Sequence, residues 1–522
     1  MQLFLDIFGF LNVVLRGVIL SAQSLTIGGV AFLLFAAPRG EGRSWERSRR
    51  MLFWGAVALS LAEALSAAGL LALLQSTLGL PVDQLLDVDA ARAACLAALL
   101  AALVAHVVRG GASLHWAAGL CLALLAAQVS VTHAASRPEP APLLYAAEFA
   151  HMLAVGVWIG GIPYFLLSLA ESNGPARRRV AARFSAMCVA AVATLIGAGV
   201  YLATDYLGDP RALYGASYGV MLSAKLSLLA ALLSFGALNF FAVRRWRADP
   251  GPPIGTTRRF AEVEIGVGLT VLFCAASLAS LPPARDMPTS RASLAEVVAR
   301  VSPRWPPRLE SPDHSSLSTQ QADASAALGR NAEDIAWSEY NHHWAGIFVL
   351  LMGGMALAER RAALAPIARH WPLVFLVLGG FIFVRADETV WPLGKQGFFE
   401  SLRDPEIAQH KFLMLLVFLF GIFEWRVRLG ALRDTLAPYV FPLATAVAAA
   451  FLLTHSHGLA NPKEETLIEI THTPLALAGV AAGWSRWLEL RLEPGAPRAV
   501  AAAVWPACFL CAGLLLLFYR EA

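Results

Sequence analysis

Apolar runs of about twenty residues, each long enough to cross the hydrocarbon core of a bilayer, recur along nearly the whole of this chain. Such a segment must satisfy its own backbone N–H and C=O groups away from water, which selects the helix. The runs fall at 10–36, 51–77, 88–109, 112–133, 143–170, 179–204, 217–243, 259–281, 342–358, 371–385, 408–426, 436–455, 467–487 and 498–519. The expected fold is an all-α, polytopic transmembrane helical bundle of about 14 spans. Composition agrees, with 57% hydrophobic and 15% charged residues among 522. The first run lacks a basic leader and a small-residue cleavage site, so it is expected to be retained. No basic tail or nucleic-acid motif is present, which argues for the lipid bilayer and against nucleic acid as a partner.

The connections between runs test the count. Arginines crowd 37–50 (Arg39, Arg43, Arg47, Arg49, Arg50), then Arg109, Arg177–Arg179, Arg244–Arg258, Arg360–Arg369, Arg426–Arg433 and Arg491–Arg498. These are every second connection, so the positive-inside rule places them in the cytoplasm and both termini outside. The one long connection, 282–341, is rich in Pro, Ser and Ala and is expected outside, as a partly disordered linker or small cap. It divides the chain into an eight-span domain, 1–281, and a six-span His-rich domain, 342–522.

Within the fifth run, Glu148, His151 and Met152 share one helix face. A carboxylate, an imidazole and a thioether inside an apolar segment are costly unless something binds there. His151 sits about 12 Å in from the helix start at 1.5 Å per residue, and Gly160–Gly161 below it permit close helix packing. Other ionisable groups within spans are Glu63, Arg16 and Lys225, candidates for proton coupling or for a structural pair such as Glu63 with Arg16. The six cysteines all lie in apolar segments and read as packing residues; Cys508-x-x-Cys511 has no second pair to complete a metal site.

Nine of the twelve histidines fall at or near the outer side. In the six-span domain, Tyr340-Asn341-His342-His343 opens one span and His410 with Met414 opens another. His455 and His457 close a third, and Glu469 with His472 opens a fourth. The 386–410 connection adds Asp387, Glu388, Glu400, Asp404 and Glu406, which suit either a structured interfacial loop or metal gathering. Imidazole with thioether suits Cu(I), and imidazole with carboxylate suits Cu(II), Zn or Fe. The same histidines at one depth equally suit a haem b held between helices.

Several separated stretches resemble the copper resistance protein D (CopD) family of bacterial inner-membrane proteins. They are HMLAVGVWIGGIPYF (His151, Trp158, Gly160, Gly161), RFSAM from Arg183, the run ASYGVMLSAKLSLLAALLSFGALNFF (Tyr218, Gly219, Lys225, Asn239) and RRFAEVE (Arg259, Glu264). The resemblance covers 143–281 well and the first four spans loosely; the six-span domain is unassigned. It implies a multi-pass protein of the bacterial inner (cytoplasmic) membrane that moves copper, or supports its delivery, beside a periplasmic copper-binding protein of the CopC type. No CopC-like domain is evident in 282–341.

The expected function is therefore copper transport or homeostasis, not enzymatic catalysis, with copper taken from the periplasmic side through His, Met and carboxylate sites. No GxxxxGK[ST] motif is present, so transport is expected to be passive or proton-coupled. Two alternatives stay open: a haem-binding redox or oxidase-assembly protein, and a non-transporting protein that docks a copper chaperone.

Overall fold

The computed structural model describes all residues except Met1, 39–41, 80–83, 85–86, 138–140, 172–173, 249–254, 313–331, 388–389, 404, 433, 455–460 and Ala522. It forms two compact units, Met1–Ala212 with Lys225–Pro288, and Leu213–Ala224 with Thr289–Ala522.

The first unit contains α1 (Gln2–Ala31, prolonged by a π-helical turn at Phe32–Ala36), α2 (Arg43–Leu78), α3 (Asp89–Arg109) and α4 (Leu114–Val129). It continues with α5 (Pro142–Trp158), α6 (Ile162–Glu171), α7 (Gly174–Leu207), α8 (Ser217–Ala248, from Lys225 on) and α9 (Gly255–Leu278). Helix α1 packs against α2, α5 and α9; α2 packs on α3, α3 on α4 and α5 on α7. Helices α1, α5–α6 and α9 bury most of their apolar windows, whereas α2, α7 and α8 bury little of theirs. The exposed side chains include Trp54, Leu61, Val200 and Phe241. An exterior as apolar as the interior is what lipid solvation selects.

The close packing expected at Gly160–Gly161 is present, and it changes the helix. The run at 143–170 is two helices, α5 and α6, separated at 159–161. There α1 comes so near that a Cβ on Gly160 would lie 1.7 Å from the Ser24 carbonyl oxygen. Only glycine allows that approach. The Tyr164 hydroxyl then donates to the Leu25 carbonyl at 3.0 Å, tying α6 to the same turn of α1.

The second unit contains α10 (Leu294–Val301), α11 (Ala332–Ala358), α12 (Val374–Arg385), α13 (Pro405–Arg428), α14 (Val440–Leu452), α15 (Pro462–Arg491) and α16 (Ala496–Leu517). Helix α11 packs on α16, α16 on α15, α15 on α14 and α12 on α13. Their core joins Met352, Trp371, Phe441 and Trp505.

Among the described residues, nine helices are long and apolar enough to cross a membrane, and Leu114–Val129 and Ala437–Leu452 are shorter apolar helices. The remaining long helices, α11, α13 and α15, lie on the predicted runs at 342–358, 408–426 and 467–487. Every predicted run thus falls on a helix. Among the described residues there is no β-strand, only an isolated bridge between Val390 and Gln396. The first part of the long connection is ordered. Ser293 and Glu296 form a capping box that starts α10, and the Arg304 N–H donates to the Phe518 carbonyl at 2.9 Å.

Candidate functional site

Five of the expected residues gather in the first unit. Glu148 is buried and accepts a short hydrogen bond from the Tyr206 hydroxyl of α7. Arg16 of α1 lies within electrostatic reach of both Glu148 and Glu63, and its Nη1 contacts the Ala279 carbonyl at 3.5 Å. Glu63 is buried and accepts from Gln128 at 2.5 Å. Lys225 is within reach of Glu148 and of His151. Two carboxylates, a guanidinium, an ammonium and an imidazole thus share one apolar interior.

His151 is seated by an absence. A Cβ on Gly199 would lie 3.2 Å from the imidazole Cε1, so glycine on α7 leaves room for the ring. The Leu195 carbonyl, one turn earlier, acts on the same ring. His151 Nδ1 is buried with no hydrogen-bond partner among the described residues. A neutral imidazole with an uncommitted lone pair is a metal-ligand type. Met152 follows on the same helix and is partly buried.

Above this interior sits a layer that the sequence did not flag. Arg137 bonds Asp205 at 2.7 Å and Asp286 at 3.1 Å, and Arg285 bonds Asp205 at 2.8 Å. The Arg137 guanidinium lies 5.6 Å from the centre of the Tyr206 ring, and His133 meets that ring edge-on at 5.7 Å. Tyr206 went unrecognised because a tyrosine near a helix end reads as an interfacial anchor. Asn239 and Glu264, both carriers of the family resemblance, bond each other at 2.5 Å.

In the second unit the histidines separate into different roles. His342 Nδ1 donates to the Ser338 carbonyl at 2.8 Å, and His472 Nδ1 donates to the Ile468 carbonyl at 2.9 Å. A carbonyl only accepts, so these bonds fix the tautomer and place the lone pair on Nε2 of each. The two rings are 5.7 Å apart, with the Tyr519 ring stacked on His342 at 4.0 Å. His343 differs: it is fully buried, its Nδ1 accepts from the Arg308 N–H at 2.6 Å and its Nε2 donates to the Tyr519 carbonyl at 2.8 Å. Both nitrogens hold backbone, so His343 offers no lone pair to a ligand. Met414 is in α13, one turn after His410. The side chain of His410, and His455 and His457 entirely, lie outside the described residues. Among the described residues no three His, Cys, Asp or Glu side chains converge as a metal-holding group.

The fold and its charge-lined interior define a multi-pass helical membrane protein. The family model for copper resistance protein D (CopD) matches residues 178–278, which run from α7 to α9. This is narrower than the eight spans of the resemblance; the first five spans, including the one that carries Glu148, His151 and Met152, and the whole six-span domain lie outside it. The copper transport protein CutJ of Bacillus subtilis (strain 168) is 28% identical over 174 residues, 32% of this chain and 31% of CutJ. The matched region thus spans about a third of that relative's length. No solved structure matches.

Proposed function

We propose that this chain is a copper transport or resistance protein of the bacterial inner membrane, a transporter rather than an enzyme, with both termini outside. The observation that carries this reading is the seating of His151 and Glu148. Gly199, Leu195, Tyr206 and Lys225, which pack around them or act on them, all belong to the stretch that matches the CopD model. Copper enters from the periplasmic side, delivered by a CopC-type protein or from solution, and meets His151 Nδ1 with Met152 as the soft partner. Glu148, held by Tyr206, supplies compensating negative charge. Arg16 and Lys225 oppose a cation resting there, which favours passage over permanent storage, and Glu63 is placed to take up a proton as the ion moves. In the second unit His342 and His472 are the outer collecting pair.

The test is copper flux into proteoliposomes carrying the full chain. His151→Ala is expected to lower flux at least about tenfold, the scale on which metal sites respond to loss of even a supporting group. Flux equal to the parent protein overturns the route through His151. An absorption spectrum of the same preparation separates the readings: a Soret band assigns the histidines to haem b instead.

A further inference from the structure

The cap helix α10 has two unlike faces. At about 100° per residue, Leu294, Val298 and Val301 fall within one narrow arc, and all three are exposed. Trp305, just past the helix, extends the stripe and is 74% exposed. The opposite face carries Glu296 and Arg300, both bonded to ends of long helices. Glu296 pairs with Lys463 in the first turn of α15. Arg300 is almost wholly buried and reaches Glu521 at 3.0 Å and the Tyr519 hydroxyl at 2.9 Å, just beyond the end of α16. Trp305 also packs against Phe518, ring centres 5.8 Å apart, at that same helix end.

These anchors set the depth of α10. Helix α16 is long and apolar enough to span and ends at Leu517; we place Phe518, Tyr519 and Glu521, just past that end, at the boundary between hydrocarbon and water. A helix fastened there by its charged face, across the ends of two long helices, lies along the boundary. An exposed apolar stripe in that place, ended by a tryptophan, is how an interfacial helix meets lipid.

We infer that α10 is an interfacial helix whose Leu294–Val298–Val301–Trp305 stripe rests in the headgroup region of the bilayer, while Arg300 holds it to the carboxy-terminal end of α16. Its occupant is a lipid surface, continuous with the lipid-facing side of α16.

The test uses the full chain in liposomes of phosphatidylethanolamine and phosphatidylglycerol. A phospholipid carrying a photoactivatable diazirine near its glycerol backbone is crosslinked to the unmodified protein, and tryptic peptides are read by mass spectrometry. Labelling is expected on peptides 292–300, 301–304 and 305–308, at Val298, Val301 and Trp305. In a cysteine-free background, spin labels at Val298→Cys and Val301→Cys are expected to be several-fold more accessible to oxygen than to a water-soluble nickel complex, with Glu310→Cys showing the reverse. Labels at 298 and 301 that are open to the nickel complex put the stripe in water and overturn the inference. Labels protected from both reagents put it against protein, another copy or a partner, and overturn it equally. If the cysteine-free protein fails to fold, crosslinking of the parent decides alone: absence of lipid adducts on 292–308, with adducts present on the spans, rejects the proposal.

Discussion

Both units bury charge among apolar helices, and they do so in opposite ways. In the second unit Arg428 bonds Glu424 at 2.7 Å and Glu359 at 3.0 Å, while Arg486 bonds Glu489 at 2.6 Å and Arg360 reaches it at 3.3 Å. Three guanidinium groups face three carboxylates, and Trp371 and Trp505 stack on Arg428 with ring centres 5.1 and 5.6 Å away. In the first unit Arg16 and Lys225 act on Glu63, Glu148 and His151 at longer range, and His151 keeps a nitrogen without a partner. Paired charge is structure; loosely opposed charge with an open lone pair is where a cation can pause. An ionisable residue inside a span is a functional candidate by default, and its partners decide whether that reading survives.

The largest expected effect comes from breaking the paired network. Glu424 is only 2% exposed, so Glu424→Ala leaves Arg428 with Glu359 alone in an apolar surround. Loss of one partner of a buried pair costs about 3–5 kcal/mol. The unfolding free energy in mixed detergent micelles should fall by that amount. Glu424→Gln, which keeps an acceptor for Arg428, should fall less. If Glu424→Ala unfolds like the parent but abolishes copper flux, the network is part of the transport path and the contrast between units fails.

A second substitution sharpens the contrast at the level of single histidines. His343→Ala strands the Arg308 N–H and the Tyr519 carbonyl, at about 1–3 kcal/mol for each buried group left unpaired. It should lower stability and leave flux per folded molecule unchanged. His151→Ala should lower flux with the smaller loss of stability, because no hydrogen bond is lost at Nδ1. Thermal unfolding and flux measured on both variants check the pair; a matched loss of flux in His343→Ala would make it a ligand after all.

The positions of the long helices were legible because each needs an apolar run of bilayer length, and all fourteen runs fall on helices. The roles of the polar residues were much less so. His342 and His343 are neighbours in sequence, but a helix turns them about 100° apart. One therefore meets a side-chain cluster and the other two backbone groups, a difference no spacing reveals. Glu424 went unnoticed because FEWRVR reads as the basic end of a span; Arg428 is one turn on, but Glu359, which shares that guanidinium, is far away in sequence. The seat of His151 is a missing side chain at Gly199, and a glycine in an apolar helix carries no such message by itself. The cap helix was hidden by composition: 282–341 is rich in Pro and Ser as a whole, yet Ser293 and Glu296 start an ordered helix within it.

The smallest expected effect concerns the two anchors of α10, which differ in burial. Arg300 and Glu521 have side-chain exposures of 3% and 2%, whereas Lys463 and Glu296 have 38% and 40%. The Lys463 ammonium, then the Ser293 N–H and hydroxyl, hold the Glu296 carboxyl down at about 2, against about 4.3 for a free glutamate. A depressed folded-state pKa adds stability above the unfolded value and loses it as pH falls through the folded one. The Glu296 anchor is thus complete above pH ~4.3 and fades as pH drops toward about 2. Solvent exposure and salt keep its contribution small. Hydrogen exchange at the amides of the first turn of α10 should quicken modestly on acidification through that window. The amides nearest Arg300 should change less, since their anchor is out of water. Glu296→Gln should remove most of the pH dependence of the first turn. Uniform quickening along the whole of α10, persisting in Glu296→Gln, would show that the helix is held by something other than two anchors of unequal burial.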